Sequence, residues 1–319
     1  MVNQTDGDMG DSGLDFSADV SGLDRSGWSA RIDEIAETHG FAEHLDGGHR
    51  ALFVDRGPVL LVCFETAPQV RRINEGSVPL GYGFAATLDW SSLTLLAEAD
   101  SWFRGEAIYA FFDRLIDDGF FDAFDRVLFH GAGACGYAAA AYSVCAPEAH
   151  VLALRPQATL DPRVAGWDRR FTGQRRQDFT ARFGYAPDMI ETAARAWVVY
   201  DPRVAEDAMH AALFRARNVT FCRVPGLGDA IEKDFARMEV LTDMVEMAME
   251  GSLDAPAFAE LWRERRDHVP YLRALLHRLE AQGRPAMIAR VCRHATRKQR
   301  RPLFLRKLEE LGVAEPAEA

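Results

Sequence analysis

The turn at residues 131–136 constrains the fold of this chain most, because three glycines there join a strand to a helix. The run 125–131, DRVLFHG, is short and apolar and predicts a buried strand, whereas GYAAAAYSVCA from Gly136 onward predicts a helix. Gly131, Gly133 and Gly136 lie at this junction. A strand that passes through glycines into a helix is typical of α/β proteins, in which such turns face a ligand or a reacting group.

The body of the chain alternates between strand and helix patterns. Helical spacing covers 106–119 and 204–216. Strands separated by helices predict an α/β fold, with a mostly parallel sheet and helices on both faces. The apolar runs that predict strands are 58–65, 93–100, 125–131, 150–156, 196–202 and 218–225.

Composition divides the chain into three parts. Residues 1–28 carry six Asp against one Arg and are rich in Gly and Ser, which predicts a disordered acidic leader. Residues 29–250 form the α/β domain, in which the polar, irregular stretch 161–190 is expected to be a lid. Residues 251–319 show helical patterns alone and are expected to form a small all-α appendage.

Charge is distributed unevenly between body and appendage. Residues 261–310 hold fourteen Lys/Arg and five Asp/Glu, so this window carries about +9, and the remainder about −20 of the net −11. A basic appendage and an acidic body suggest a homo-oligomer held by these surfaces. No helix-turn-helix, zinc or RRM signature is present in the sequence, which disfavours nucleic acid as a partner.

Other sequence features limit the compartment and the chemistry. No apolar run approaches the roughly 20 residues of a membrane span, and the N-terminus lacks the pattern of a signal peptide. The five cysteines are odd in number and lack CxxC spacing, which favours a reducing cytoplasm over disulfides or a zinc site. We predict neither a metal nor a cofactor. Asp207 and His210, spaced D-x-x-H, are expected to be a surface pair.

The glycine turn fits a dinucleotide site in one alignment. Gly131, Gly133 and Gly136 have the G-x-G-x-x-G spacing that brings a pyrophosphate close to a helix N-terminus. The acidic residue expected to hold a ribose hydroxyl is absent, and Arg155 stands there instead, which suits a 2′-phosphate. The turn also follows the third predicted strand, whereas such turns usually end the first. A nucleotide or dinucleotide binder remains one interpretation.

In a second alignment the region resembles the nucleophile elbow of the α/β-hydrolase family, strand–G-x-S-x-G-G–helix. It is similar in particular to bacterial members with a G-S-S-M-G-G-Y elbow, followed by a strand that ends in SPQ. Gly131 matches the first glycine, Gly133 the serine and Cys135 the second glycine, and LALRPQATLD at 152–161 matches the later strand. The resemblance covers roughly residues 55–250.

This resemblance implies a catalytic triad that is incomplete here. Asp201, with Asp207 slightly beyond it, lies where such enzymes carry the triad acid, and Asp229 lies where they carry the histidine. With Gly133 at the serine position, two of three roles are vacant. The resemblance therefore predicts a pseudoenzyme that binds a small molecule or a protein partner through a remodelled cleft. The expected binding residues are Gly131, Gly133, Gly136, Tyr137, Arg155 and Gln157.

Cys135 offers an alternative in which chemistry survives. Gly133-Ala-Cys135 matches half of a G-x-C-x-G elbow, and a helix N-terminus lowers the pKa of a thiol. With His130 as the base, the chain would be a Cys-dependent ester or thioester hydrolase or an acyltransferase. Tyr137 departs from the small residue that the elbow needs, and burial is the commoner fate of a cysteine. Asp229, in turn, is expected to cap the helix near residue 230.

A reductase interpretation lacks its motif. Phosphoadenosine phosphosulfate reductases are similar to one another in a C-terminal Glu-Cys-Gly-x-His sequence that carries a mobile cysteine. The C-terminal cysteine of this chain, Cys292, lies in ARVCRHA on a predicted Arg-rich helix. The sequence does not support this activity.

Overall fold

The computed structural model describes residue 16 and residues 19–313, and within them a single eight-stranded sheet organises the chain. The strand order is β1-β2-β4-β3-β5-β6-β7-β8. Strand β2 is antiparallel to β1 and β4, and all other neighbours are parallel. The strands are β1 Gly40–Leu45, β2 His49–Val54, β3 Val59–Thr66, β4 Ser91–Ala97, β5 Arg126–Ala132, β6 His150–Leu154, β7 Arg195–Tyr200 and β8 Val219–Arg223.

Helices cover both faces of this sheet, as predicted. The α-helices within the described residues are α1 Arg25–His39, α2 Ala67–Ile73, α3 Leu80–Leu88, α4 Glu106–Asp117, α5 Ala134–Tyr142, α6 Pro162–Ala165, α7 Ala186–Met189, α8 Ala205–Ala211, α9 Ile231–Arg237, α10 Val240–Glu250, α11 Ala255–Leu261, α12 Val269–Ala281, α13 Pro285–Thr296 and α14 Pro302–Glu310. Short 3₁₀ turns lie at Glu75–Ser77, Phe120–Ala123, Ser143–Cys145, Gln174–Arg176, Ile190–Thr192 and Trp262–Arg266.

Strand β3 shows why the central strands are continuous apolar runs. Leu60, Val62 and Phe64 pack in the core beneath α4 and α5, whereas Leu61 and Cys63 pack on the opposite face beneath α10. Every residue of β3 is buried. A parallel strand covered on both faces has no polar side, so its sequence lacks the alternation of a half-exposed strand.

The hairpin β1–β2 is a difference from the sequence prediction. Strand β1 lies at the sheet edge and its side chains are only partly buried, so it lacks the apolar run on which strand prediction relies. Gly47 and Gly48 make the turn between the strands with φ of 81° and 76°, a backbone region that favours glycine.

Only part of the predicted leader, residue 16 and residues 19–28, lies within the described part of the chain. Residues 1–15, 17 and 18 lie outside the described part of the chain. Phe16 and Val20 are buried, and Trp28 on α1 is fully buried and donates its indole N–H to the Ser77 carbonyl at 2.6 Å. The core cluster beside β2 therefore includes residues that the sequence placed in the leader.

The stretch 161–190, which we call the lid, is irregular apart from short helical turns, and Arg104 and Arg182 hold it to the body. Arg104 donates to the carbonyls of Asp178 and Arg182, and Arg182 forms an ion pair with Asp113 of α4 at 2.5 Å. Both guanidinium groups also lie over the ring of Tyr109, at 5.1 and 5.3 Å from its centroid. The lid is thus fixed to α4 by charge and aromatic contacts.

Helices α12–α14 form a small core of their own, built on Leu276, Ile288, Cys292, Phe304 and their neighbours. Tyr271 of α12 links this bundle to the body through Trp262, at 5.8 Å between ring centroids. Some of the basic side chains pair within the region: Lys298 with Asp267, and Lys307 with Glu280. Across residue 16 and residues 19–313, no helix combines the length and apolarity needed to cross a membrane.

Two glycines on α3 make a matched test of its packing. A methyl group at Gly81 would lie 2.5 Å from the Cβ of Ser92 on β4, whereas one at Gly83 would meet nothing within 4 Å. We expect Gly81→Ala to lower the free energy of unfolding by roughly 1–3 kcal/mol through overpacking. Gly83→Ala should raise it by roughly 0.5–1 kcal/mol. Urea unfolding measures both, and equal effects of the two substitutions would contradict this packing.

Candidate functional site

The turn after β5 is an elbow whose apex is Gly133. This residue has φ 62° and ψ −123°, and its N–H donates to the Leu154 carbonyl of β6 at 2.8 Å. The Gly133 carbonyl in turn accepts from Tyr137 N at 2.9 Å as α5 begins. A side chain in this backbone region is strained, as it is at the nucleophile of a hydrolase elbow. Here glycine occupies that position, so the strain is absent.

The other two glycines of the turn serve close packing. A Cβ at Gly131 would lie 2.3 Å from the Cys135 carbonyl oxygen, and one at Gly136 would lie 2.9 Å from the Leu154 carbonyl oxygen. Their spacing therefore lets α5 approach β5 and β6, a role that does not require a pyrophosphate.

Arg155 projects toward the apex from the end of β6. Its backbone has φ 50°, and its N–H donates to the Val199 carbonyl at 2.6 Å. The Nη2 atom lies 3.5 Å from the point that a Cβ on Gly133 would occupy. A guanidinium group thus contacts the place where a hydrolase of this elbow type would begin its nucleophilic side chain.

Cys135 lies below the apex and lines the cleft, but it is 2% exposed. Its thiol faces the Gln69 Oε1 atom at 3.9 Å. Burial raises the pKa of the Cys135 thiol well above its ordinary value, and the carboxyls of Glu232 and Glu65 raise it further. The thiol is therefore protonated at neutral pH, which is unfavourable for a nucleophile.

His130 does not serve Cys135 as a base in this arrangement. Its Nδ1–H donates to the Leu152 carbonyl at 2.9 Å, its Nε2 is buried without a partner, and the hydrogen bonds of the described residues include none to Cys135. Burial lowers the pKa of His130 to about 4. The residue is a buried strand histidine bonded to the backbone.

Asp201, the predicted triad acid, binds backbone. Its carboxylate accepts from Arg203 N at 2.9 Å, from Gly226 N at 2.7 Å and from Gly228 N at 2.9 Å. These bonds fix the loop that follows β8. Asp229, the next residue in that loop, is exposed and lines the cleft. The capping prediction for Asp229 was wrong, because α9 begins after Ala230 without a side-chain cap.

Two predicted binding residues are used in packing. Tyr137 is buried and its hydroxyl donates to the Phe183 carbonyl of the lid at 2.6 Å. Gln157 is buried and its amide donates to the Arg155 carbonyl at 3.1 Å. Neither side chain is among those that line the cleft.

The cleft has two connected parts along the carboxyl edge of the sheet. The part of about 420 Å³ lies against Gly133, Cys135 and the aromatic side chains of Trp102 and Phe171. The part of about 360 Å³ lies against Asp229 and Glu232. Residues that line both parts are Gln69, Arg72, Ala132 and Arg155.

Arg72, Gln69 and Glu232 were missed by the sequence analysis. The available signal for the first two was the polar segment that directly follows the buried strand β3, PQVRR, because ligand sites of α/β sheets lie at carboxyl strand ends. No such sequence pattern marks Glu232. It lies on α9, which begins eight residues after β8 ends, and so it does not directly follow a strand.

Side chains of both charges line the cleft: the basic Arg72, Arg155 and Lys233, and the acidic Asp100, Asp229 and Glu232. Within the described residues, neither Arg72 nor Arg155 has a carboxylate within the 4.0 Å of an ion pair. Burial raises the pKa of Glu232 to about 7, although the charges of Arg155 and Arg72 act in the opposite direction. Protonation of Glu232 as the pH falls through about 7 therefore makes the cleft more positive.

Asp207 and His210 belong to a buried network beside the lid, so the expectation of a surface pair was wrong. His210 accepts from Ala158 N at 3.2 Å through Nδ1 and donates through Nε2 to Asp168 at 3.0 Å. Arg170 of the lid bridges Asp168 and Asp207 at 2.8 and 2.7 Å. Across the described residues, no group of three or more His, Cys, Asp or Glu side chains is arranged to hold a metal ion.

Several solved structures are similar to part of this chain, whereas the sequence comparisons found no match. No protein-family model matches the sequence, and no curated protein matches it significantly. The acylaminoacyl peptidase of Pyrococcus horikoshii is similar over 69% of this chain and 43% of its own, with 8% identity and a TM-score of 0.46. EstE1, a carboxylesterase cloned from a metagenomic library, is similar over 70% of this chain and 88% of its own, with 14% identity and a TM-score of 0.41.

A Pyrobaculum calidifontis esterase is similar over 73% of this chain and 95% of its own, with 13% identity and a TM-score of 0.41. The chain spans less than half the length of the peptidase. The activities that these names give belong to those proteins. This chain has an α/β-hydrolase-like fold, as its mostly parallel eight-stranded sheet and the elbow after β5 show.

The environment of the cysteines predicts inert thiols. All five are buried, and burial raises the pKa of each thiol, in Cys292 to about 11. In a DTNB assay at pH 7.5 we expect fewer than one thiol per chain to react within minutes. Five should react after unfolding in guanidinium chloride. Rapid stoichiometric labelling of Cys135 in the folded protein at pH 6 would contradict this result.

Glu65 predicts a pH-dependent stability. It is buried, it accepts from Asn74 Nδ2 at 2.7 Å, and burial raises its pKa from 4.5 to about 7. A raised folded-state pKa gives stability that is present below pH 4.5 and lost as pH rises to 7. From pH 5 to 8, wild type should lose roughly 2 kcal/mol relative to Glu65→Gln. Urea unfolding at both values tests this, with Glu191→Gln at an exposed position as the control.

Proposed function

We propose that this chain is a non-catalytic α/β-hydrolase-like protein that binds an anionic small molecule in the cleft over the elbow. The observation that carries the proposal is the pair at the apex: Gly133 has no nucleophile, and the guanidinium of Arg155 lies 3.5 Å from where one would be attached. A positively charged side chain therefore lies beside the position where a hydrolase of this type would carry its nucleophile.

The residues that would perform hydrolysis support this interpretation by their other uses. A Ser or Cys hydrolase needs a side-chain nucleophile on the elbow and a base within hydrogen-bond reach. Gly133 provides no nucleophile, and the carboxylate of Asp229 replaces the imidazole. Asp201 binds Gly226 N and Gly228 N and is 2% exposed, so its carboxylate is occupied in holding a loop.

Two side chains of the cleft suit an anion, Arg155 and Arg72, although Asp100 and Asp229 also line it. Arg155 is half-buried and reaches the start of α5, where the N–H groups of the first helical turn have no intrahelical acceptor. Arg72 lines the same cleft from α2. Guanidinium groups bind carboxylates and phosphates through paired N–H donors, and a partly buried guanidinium is less screened than a fully exposed one.

Two alternatives are less well supported. A Cys135-dependent hydrolase is favoured by the place of Cys135 in the cleft wall, but burial holds its thiol protonated and His130 is bonded elsewhere. A dinucleotide site is favoured by glycine spacing alone, and close packing of Gly131 and Gly136 accounts for that spacing.

Binding of small anions tests the proposal. We expect butyrate and inorganic phosphate to bind in isothermal titration calorimetry. Arg155→Met, which keeps an unbranched side chain and removes the charge, should weaken the affinity of both by about 10- to 100-fold. Arg169→Met is the control, because Arg169 is exposed on the lid and does not line the cleft.

The enzymatic alternative has its own readout in the same preparation. We expect no turnover of p-nitrophenyl esters or acyl thioesters above the uncatalysed rate. Turnover that Cys135→Ala abolishes would overturn the proposal, and so would anion affinity that Arg155→Met leaves unchanged.

A further inference from the structure

A third cavity, of about 510 Å³, borders the cleft, and we refer to it as the α3–α10 groove. It lies between the segment from α2 to α3 and the helices α9 and α10. Arg72, Ile73 and Lys233 line both this groove and the part of the cleft that contains Glu232. The groove therefore lies directly beside the cleft, with Arg72, Ile73 and Lys233 between them.

The groove has an apolar wall and a basic rim. Val78, Leu80, Phe84 and Leu241 line it; Leu80 is partly exposed, and the other three are 3–7% exposed. The exposed cations Arg72, Lys233 and Arg237 lie on its border, with Glu75 as the one acidic side chain in its lining. Apolar surface beside uncompensated positive charge favours a ligand that has an apolar part and a negative part.

We infer that the cleft and the groove together bind a carboxylate with an unbranched apolar chain, of the fatty acid class. The inference rests on the proposed function, because it uses the same Arg155 site for the head group. The carboxylate lies between Arg155 and Arg72, and the chain passes Ile73 into the groove against Leu80 and Phe84. Glu232 and Asp229 also line that passage, and Glu232 loses its charge as the pH falls through about 7, which favours a carboxylate ligand beside the arginines.

Chain length is the property that separates this ligand class from a small anion. Each methylene removed from water along the groove should raise affinity about three- to fourfold, until the groove is filled. If only the carboxylate were bound and the chain stayed in water, the affinity would not rise with chain length. The ligand series is butyrate, hexanoate, octanoate and decanoate, each measured by calorimetry below its micelle concentration.

Gly83 provides a substitution that fills the groove without disturbing the fold. It lines the groove on α3, it is exposed, and a Cβ there meets nothing within 4 Å. Alanine and tryptophan both have a higher helix propensity than glycine, so neither substitution at position 83 should weaken α3. Gly83→Trp places an indole in the groove, and Gly83→Ala at the same position is the size control.

In wild type and Gly83→Ala, decanoate should bind at least 30-fold more tightly than butyrate. In Gly83→Trp that ratio should fall below about fivefold while butyrate affinity is unchanged, and Arg155→Met should weaken every member of the series. 1-Decanol, which has the chain without the charge, should bind wild type at least tenfold more weakly than decanoate.

The results that overturn the inference differ from those that overturn the proposed function. Butyrate binding that needs Arg155, with no gain from chain length or with an equal gain in Gly83→Trp, refutes the fatty acid ligand and leaves the anion site standing. Equal binding of 1-decanol and decanoate also refutes it. Failure of every carboxylate and of phosphate to bind refutes both.

Discussion

The hydrogen bond from Gly133 N to the Leu154 carbonyl ties the elbow to the neighbouring strand, and the site is built around it. It fixes β5, β6 and α5 in one arrangement, which the bare backbones of Gly131 and Gly136 allow by admitting carbonyl oxygens at distances no Cβ tolerates. The same strand end directs Arg155 toward the apex. A single backbone contact thus sets both the shape of the turn and the position of its cation.

Two carboxyl groups, Glu65 and Glu232, make the charge in and near the cleft depend on pH. Glu65 and Glu232 have pKa values raised to about 7, mainly by burial, and the charge of Glu232 also raises the pKa of Glu65. Arg155 and Arg72 favour the ionised form of Glu232 but do not offset its desolvation. The charge of Glu232 therefore changes near neutral pH, in a cleft whose lining also holds Lys233, Asp100 and Asp229.

The sequence predicted the architecture better than the site. Runs such as 58–65 reveal buried strands because both faces of a parallel strand are apolar, whereas the half-exposed edge strand β1 leaves no such run. Gly133, Asp201 and Asp229 could be identified because a motif orders them along the chain. Gln69 and Arg72 are marked only by their place directly after a buried strand, and Glu232 is not marked at all, since strand order and not sequence distance brings α2 and α9 to the elbow. Asp168 and His210 pair across 42 residues for the same reason.

Glycine at the apex also changes how the fold's stability is distributed. A nucleophile in the backbone conformation of Gly133 stores strain of roughly 1–3 kcal/mol, which an enzyme sustains from the rest of its fold because the strain presents the reacting atom. Glycine at position 133 removes this strain from the apex, although Arg155 at the end of β6 keeps a positive φ of 50°. The elbow is unstrained at Gly133. The part of the folding free energy that such strain would offset therefore remains available to stabilise the lid, the cleft and Arg155 in their positions.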